Sequence, residues 1–260
     1  MRPVYFTPRA GFIDHSDSLG ATARFGRGDV QWLTAGAGIV HSEMFPLLRA
    51  DAGNRLELFQ IWLNLPARSK FAAPYFTMFW NRRIPRLRPA TGVELTLVAG
   101  TLQDARPPAP PPDSWAANPD ADLAIWLISL EPGARWALPP ASGPHTARTL
   151  YFFSGSELEI GTRRVTQRAA IDVAANLPVS LAVAEGRAEL LLMQGKPIGE
   201  PVAQYGPFVM NTRAELEQAA RDYQRTQFGG WPFAARDPVH APDRGRFARH
   251  ADGRVEDAPA

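Results

Sequence analysis

Prolines and glycines interrupt this chain so often that long helices have little room to form. The 260 residues include 25 prolines and 21 glycines, and a proline inside a helix removes a backbone hydrogen bond and clashes with the preceding turn. Many short strands separated by turn residues are typical of antiparallel sandwiches and barrels. The sequence therefore predicts an all-β fold. Its predicted strands are the short apolar runs Val30–Leu33, Leu56–Leu65, Val93–Val98, Leu123–Leu130, Leu150–Phe153, Leu158–Ile160, Val179–Val183 and Glu189–Met193.

A proline-rich segment divides this β pattern into two halves. Residues 106–119 begin Arg-Pro-Pro-Ala-Pro-Pro-Pro, and consecutive prolines cannot donate to a β ladder and favour an extended path. We expect this segment to be a loop or linker. It separates a first β domain at 1–105 from a second at 120–196, which repeats a similar alternation of turns and strands.

The segment 197–230 contains the best helical pattern of the chain. We expect a helix at about 213–226, because Asn211 or Thr212 can cap it and Glu215 follows Thr212 at the spacing of a capping box. The remaining residues, 231–260, are rich in proline, glycine, arginine and aspartate, and are predicted to form an irregular tail.

Composition excludes several classes of protein. The formal net charge is only +2, and the basic residues form no patch, so nucleic-acid binding is not expected. The chain has no cysteine, which excludes thiolate ligands, disulfides and catalytic thiols. The sequence contains no apolar run long enough to span a membrane and does not start with a secretory signal, so a cytoplasmic protein without a membrane partner is predicted.

The segment 28–44 carries the strongest sign of chemistry. It reads as a strand, a tight turn at Gly36-Ala37-Gly38 and a second strand that contains His41-Ser-Glu43. Side chains two residues apart on a strand share a face, so His41 and Glu43 should project together. An imidazole and a carboxylate are half of a divalent-metal site, and the sequence contains no His-x-His pair to complete it. Without further ligands, an ordinary polar pair at a strand end is the alternative.

The remaining histidines and the aromatic residues have simpler interpretations. His15 lies between Asp14 and Asp17 and suggests a strand-end histidine bonded to an acid, while His240 and His250 are predicted to face water. Most of the aromatic set is expected in the core, although some members could line a pocket for a flat ligand. The set comprises Trp32, Phe59, Trp62, Phe71, Tyr75, Phe76, Phe79 and Trp80.

Three blocks of the chain resemble the pirin family. Gly28–Met44 and the following Phe59–Ala67 are similar to the first cupin domain of pirins, and Gly199–Thr212 is similar to their C-terminal signature. The resemblance runs from about Gly11 to about Gly230. It implies two tandem cupin barrels, a metal site in the first only, and a short C-terminal helix.

The resemblance also implies an activity. Pirins are associated with metal-dependent dioxygenase activity on quercetin-like flavonols, and some members act through regulatory protein partners. Their metal, usually iron, is held by three histidines and a glutamate. His41 and Glu43 match two of these ligands, and Glu43 is the residue expected to serve also as a catalytic base. The family position matching His15 is not a ligand, and the places matching ligands in the second domain fall near Ser142, Pro144 and Arg148, which do not suit a metal.

The chain departs from the family pattern at its start. The His-x-His pair that would supply the other two ligands would fall at or before Met1, so the first barrel is expected to lack a strand and to expose a β edge. Three explanations stay open: a misassigned start, a truncated gene, or a member that needs no metal. Two hypotheses follow, namely a dioxygenase that binds a flavonol and O2, and a metal-poor interaction module for a regulatory protein. A sugar or hydroxy-acid isomerase is a third, weaker possibility that rests on the fold alone.

Overall fold

The computed structural model describes residues 2–6, 10–143 and 145–259, with residues 2–6 described for their backbone only. The chain divides into two compact units. Unit one comprises Met1–Arg82, Pro111–Trp115 and Gly199–Ala260, and unit two comprises Arg83–Pro110 and Ala116–Ile198. None of the described helices is long and apolar enough to cross a membrane.

Unit one begins with seven strands that are divided between two sheets. The first sheet has the order β6-β1-β4-β7, and the second contains β3, β2 and β5 side by side. All neighbouring pairs are antiparallel. The strands are β1 (Arg2–Phe6), β2 (Phe12–Asp17), β3 (Thr22–Gly26), β4 (Val30–Thr34), β5 (His41–Met44), β6 (Phe59–Leu63) and β7 (Tyr75–Phe79).

Strand β1 lies inside the first sheet, between β4 and β6, with Val4 opposite Trp32 on one side and Ile61 on the other. In the second sheet β5, which carries His41 and Glu43, is an end strand, and β2 is its strand partner among the described residues. The expected exposed β edge therefore corresponds to β5 in the described part of the chain.

Unit two consists of ten further strands in two sheets. Their orders are β15-β12-β17-β10-β9-β8 and β11-β16-β13-β14. The strands are β8 (Arg86–Ala90), β9 (Val93–Ala99), β10 (Ala124–Leu130), β11 (Arg135–Leu138), β12 (Ala147–Ser154), β13 (Leu158–Ile160), β14 (Arg163–Val165), β15 (Ala169–Asp172), β16 (Val179–Ala182) and β17 (Ala188–Gly195). Leucine, isoleucine and valine side chains from both sheets fill one buried core between them.

The division of the chain differs from the predicted domain ranges. Strands β8 and β9 fall inside the range 1–105, yet β9 pairs with β10 along the whole strand, which places both in unit two. Sequence spacing could not show this, because an apolar strand fits the sheet of either domain.

The chain then returns to unit one. Strands β18 (Ala203–Tyr205) and β19 (Phe208–Met210) form a hairpin that contacts helix α1 (Arg213–Thr226). Thr212 caps this helix, and the predicted capping box with Glu215 is present in both directions. Short 3-10 turns occur at Ala67–Ser69, Asn81–Arg83, Trp115–Ala117, Pro119–Ala121 and Gln227–Gly229.

The prediction of an irregular C-terminal tail is wrong for its last third. Strands β20 (Phe247–Arg249) and β21 (Val255–Asp257) form a hairpin, and β20 pairs with β3. The second sheet of unit one therefore has the order β21-β20-β3-β2-β5. Phe247 and Ala248 are buried by this pairing, and three-residue strands surrounded by polar residues give too weak a pattern for the sequence to reveal.

Candidate metal centre

The pairing of β2 with β5 assembles four polar side chains on one face of the sheet. In the antiparallel register, His15 lies opposite Glu43 and Asp17 lies opposite His41. Side chains two residues apart on a strand share a face, and directly opposed residues share it as well. Ile13, on the same face of β2, lies in the hydrophobic core of unit one. The four groups therefore point toward the interior of the first barrel.

Three of these side chains lie close enough to share one ion. The donor atoms of His15, His41 and Glu43 all lie within 4.8 Å of one another. His41 Nδ1 is 3.7 Å from Glu43 Oε1, and the rings of His15 and His41 have centroids 5.8 Å apart. The prediction that His41 and Glu43 project together is confirmed. Among the described residues, this is the one group of three histidine or acidic side chains with such spacing.

The site holds His41 in its neutral form. Although about 30% of its side chain is exposed, burial of the ring lowers the pKa of His41 to about 4. The nearby His15 lowers this pKa further, and Asp17 opposes the shift. A neutral imidazole is the form that binds a metal, so His41 needs to lose no proton at neutral pH.

His15 is the member that the sequence reasoning left out. Its predicted bond to an acid is present, since Nε2 lies 3.2 Å from Asp17 Oδ2. The side chain is fully buried, however, and its Nδ1 has no hydrogen-bond partner among the described residues. Its position beside His41 and Glu43 depends on the β2–β5 register, which no local sequence pattern shows.

The donor set fits a divalent transition metal. Two imidazoles and one carboxylate with open positions are typical of non-haem iron oxygenase sites. The unpartnered Nδ1 of His15 is a buried polar atom that a metal ion could satisfy, and such atoms are costly when left unpaired. The three residues therefore fit the metal that the sequence resemblance implies.

The turn before β5 requires glycine at two positions. Gly36 has φ +49°, and a Cβ atom there would lie 1.9 Å from the carbonyl oxygen of Ala72. Gly38 has φ +128°, and its Cβ would lie 2.5 Å from the Phe228 ring. These positions favour glycine for its conformational freedom and its lack of a side chain. The segment is a tight turn that directs the chain into β5, as predicted, and not a phosphate loop.

One aromatic side chain, Phe76, packs against the cluster. The Phe76 ring packs edge-on against His15, with centroids 5.5 Å apart, and lies 4.8 Å from the ring of His250. The expectation that most of the aromatic set is core is correct for Trp32, Phe76, Phe79 and Trp80, which are buried, whereas Trp62 and Phe71 are largely exposed. Phe59 and Tyr75 are partly buried.

The prediction that His240 and His250 face water is wrong. His240 Nε2 lies 3.0 Å from Thr22 Oγ1, and only 11% of the His250 side chain is exposed because it bonds Glu256 at 2.8 Å. Both residues belong to the C-terminal segment that packs against the second sheet of unit one, and this packing removes them from solvent.

A cavity of about 330 Å³ lies beside Asp17, the residue bonded to His15, and none of His15, His41 and Glu43 lines it. It is lined by Asp17 and Phe76 from the barrel and by His250 and Arg254 from the C-terminal hairpin, with Tyr75 at its wall. Its volume lies at the lower end of the range for small-molecule pockets.

In unit two, the places that match metal ligands of the family include Arg148, whose side chain is hydrogen-bonded. The Arg148 guanidinium donates through Nε to Gln194 Oε1 at 2.8 Å and through Nη1 to the Pro139 carbonyl oxygen at 2.7 Å. Ser142 donates to Asp122. Pro144, the third place considered for a ligand, lies outside the described residues. The described part of unit two has no metal-type cluster.

Comparison with protein families matches both halves of the chain. A model described as Pirin matches residues 8–63, and one described as Pirin C-terminal cupin domain matches residues 125–229. A protein named "Putative quercetin 2,3-dioxygenase" from Pseudomonas aeruginosa is 37% identical over 221 residues, which cover 82% of this chain and 72% of that protein. The chain belongs to the pirin family.

Two further pirin relatives support the assignment. Pirin-1 of Arabidopsis thaliana is 34% identical over 225 residues, covering 84% of this chain and 72% of that protein. A crystal structure of quercetin 2,3-dioxygenase from Acinetobacter baumannii superposes with a TM-score of 0.75 at 30% identity, covering 88% of this chain and 76% of that one. The predicted fold class, two cupin-type β units with one short helix, is confirmed.

Proposed function

We propose that this pirin is a metal-dependent dioxygenase of the quercetinase type, which binds a flavonol-like polyphenol and O2 in the first barrel. The observation that carries the proposal is the partly buried cluster of His15, His41 and Glu43. It is supported by relatives named as quercetin 2,3-dioxygenases. Iron is the metal we propose, because the donor set matches non-haem iron oxygenases. A cytoplasmic location stays a prediction.

When bound, the metal would supply Lewis acidity and a template for holding a substrate oxygen beside O2. The chain supplies the ligands and the surroundings. His41 presents a neutral ring nitrogen, and Glu43 presents a carboxylate 3.7 Å from it. Glu43 is also the group we assign to accept the proton of a substrate hydroxyl, since a carboxylate in contact with the reacting oxygen can act as a general base.

The buried walls of the barrel prepare the site for this chemistry. Phe76 covers one side of His15, so bulk water is kept from that side of the cluster. An apolar wall next to few polar groups suits a planar aromatic ligand.

The basis of the alternative, a non-catalytic regulatory module, is the missing strand with its His-x-His pair. The cluster of His15, His41 and Glu43 offers three donor groups without that pair, which favours the metal-dependent enzyme. A regulatory protein partner stays a prediction from the family resemblance.

The test is metal content and quercetin turnover of the purified, iron-loaded protein. We expect equimolar iron and loss of the quercetin absorbance band under air. Replacing Glu43 by Gln should lower the turnover by about 100-fold or more, the usual contribution of a general base. Glu131→Gln, at an exposed carboxylate, is the control and should change nothing.

Two results would count against the proposal. Stoichiometric iron with untouched quercetin would remove the substrate assignment. A protein that binds iron equally well after His41→Gln would remove the metal site itself.

A further inference from the structure

The strand pair β2–β5 offers the metal a third ligand that the family pattern does not contain. Glu43 and His41 come from β5, and the residue directly opposite Glu43 is His15 on β2. Directly opposed Cβ atoms in an antiparallel pair lie about 4.5–5.5 Å apart, which suits side chains that converge on one ion. The donor atoms of the three residues all lie within 4.8 Å of one another, which agrees with this.

His15 has one ring nitrogen engaged and one available. Nε2 contacts Asp17 Oδ2 at 3.2 Å, while Nδ1 is buried without a hydrogen-bond partner among the described residues. The whole side chain has no exposed surface. A fully buried imidazole would ordinarily use both nitrogens, since a buried polar atom without a hydrogen bond destabilises the fold. A metal bound at Nδ1 accounts for this arrangement.

Asp17 is built to hold the imidazole in that orientation. Its other oxygen, Oδ1, accepts hydrogen bonds from the backbone N–H groups of Leu19 at 2.9 Å and Ala21 at 3.1 Å. The carboxylate is 1% exposed and cannot swing toward the ion without breaking these bonds. A carboxylate that bonds the outer nitrogen of a ligating histidine fixes its tautomer and raises its basicity.

We propose that His15 is the third protein ligand of the metal site and that Asp17 is its positioning residue. The resulting set of His15, His41 and Glu43 leaves coordination positions open for substrate and O2. The proposal rests on the metal-binding part of the proposed function but not on the identity of the substrate.

The test counts imidazoles on the ion and measures affinity, with no need for catalytic activity. Purified protein is loaded with Cu²⁺ for pulsed EPR, which detects coordinated imidazole nitrogen, and with Co²⁺ for chelator competition. We expect two coordinated imidazoles in the wild type and one in His15→Gln. We expect Co²⁺ affinity to fall by 10-fold or more in His15→Gln and by about 10- to 100-fold in Asp17→Asn, the usual effect of losing an outer partner.

The matched control is His145→Gln, which removes one imidazole from an exposed position of unit two. It should leave both readouts unchanged. If His15→Gln does not fold, the imidazole count of the wild type and the Co²⁺ affinity of Asp17→Asn decide the question.

The outcomes separate the two proposals. One imidazole in the wild type, or unchanged affinity in His15→Gln, overturns the role of His15 while leaving a site at His41 and Glu43. Absence of any metal bound by the wild type overturns the proposed function as well.

Discussion

The imidazole of His240 is held between Thr22 and the edge of the Phe247 ring, with ring centroids 4.9 Å apart. Burial lowers the pKa of His240 below its ordinary value of 6.5. The Arg24 guanidinium lowers this pKa further, while the Asp14 carboxylate opposes the shift. The folded protein therefore takes up this proton less readily than the unfolded chain.

This shift predicts a pH dependence of stability. The contribution of neutral His240 is complete above pH 6.5 and is lost as the pH falls from 6.5 toward the folded-state pKa, because the unfolded chain binds the proton first. We expect the wild type to lose more unfolding free energy between pH 7.5 and 5.5 than His240→Gln, measured by urea unfolding of the metal-free proteins. Equal losses in the two proteins would contradict the prediction.

At the scale of single elements, the C-terminal segment is fixed to the barrel by buried charge. Arg24 on β3 forms two 2.7 Å hydrogen bonds with Asp14 on β2. The same guanidinium donates to the carbonyl oxygens of His240, Ala241 and Arg244. One buried side chain thus joins two strands to the segment that leads into β20.

Removing this arginine should destabilise unit one. We expect Arg24→Met to lower the unfolding free energy by about 3–5 kcal/mol, because it leaves the Asp14 carboxylate buried without its cation. Arg88→Met, at an arginine that is 82% exposed and paired with Glu94, should cost less than about 1 kcal/mol. Denaturant unfolding measures both.

The double variant Asp14→Leu with Arg24→Met sharpens this test. It removes both charges, so it should be less destabilised than Arg24→Met alone. Hydrogen exchange of residues 240–257 should become faster in Arg24→Met. If Arg24→Met alone is as stable as the wild type, the ion pair between Arg24 and Asp14 does not hold residues 240–257 in place.

In the whole molecule, the candidate metal cluster and much of the apolar core belong to different units. The candidate metal cluster lies in unit one, while Leu190 is fully buried in the core of unit two. Leu190→Ala should lower the unfolding free energy by about 2–5 kcal/mol through the cavity it leaves.

The same variant should bind metal normally at temperatures below its transition, since it changes no residue of unit one. Leu177→Ala, at a side chain that is 56% exposed, is the matched control and should have little effect on stability. Thermal unfolding and metal analysis check both statements. Metal loss in folded Leu190→Ala would mean that the cluster depends on the core of unit two.

Much of the fold could be predicted because its signals are local. Each predicted apolar run contains or overlaps an observed strand, as Val93–Val98 does with β9, because burial of a strand leaves a direct mark on composition. The capping box at Thr212 and Glu215 likewise depends on residues three apart. Strand β20 escaped prediction since its burial comes from pairing with β3, far away in the chain. Strand β21 pairs with β20 and is mostly exposed, so it has no apolar pattern to detect.

That His41 and Glu43 face one way follows from their spacing alone, because alternation along a strand is a property of the backbone. That His15 and Asp17 face them follows from the folded chain, since the register of β2 against β5 depends on which side chains the barrel buries. The packing of the polar C-terminal segment on the barrel likewise depends on the folded chain. Buried Arg24 bonds both Asp14 and the backbone of His240 and Ala241, which lie more than two hundred residues further along the chain.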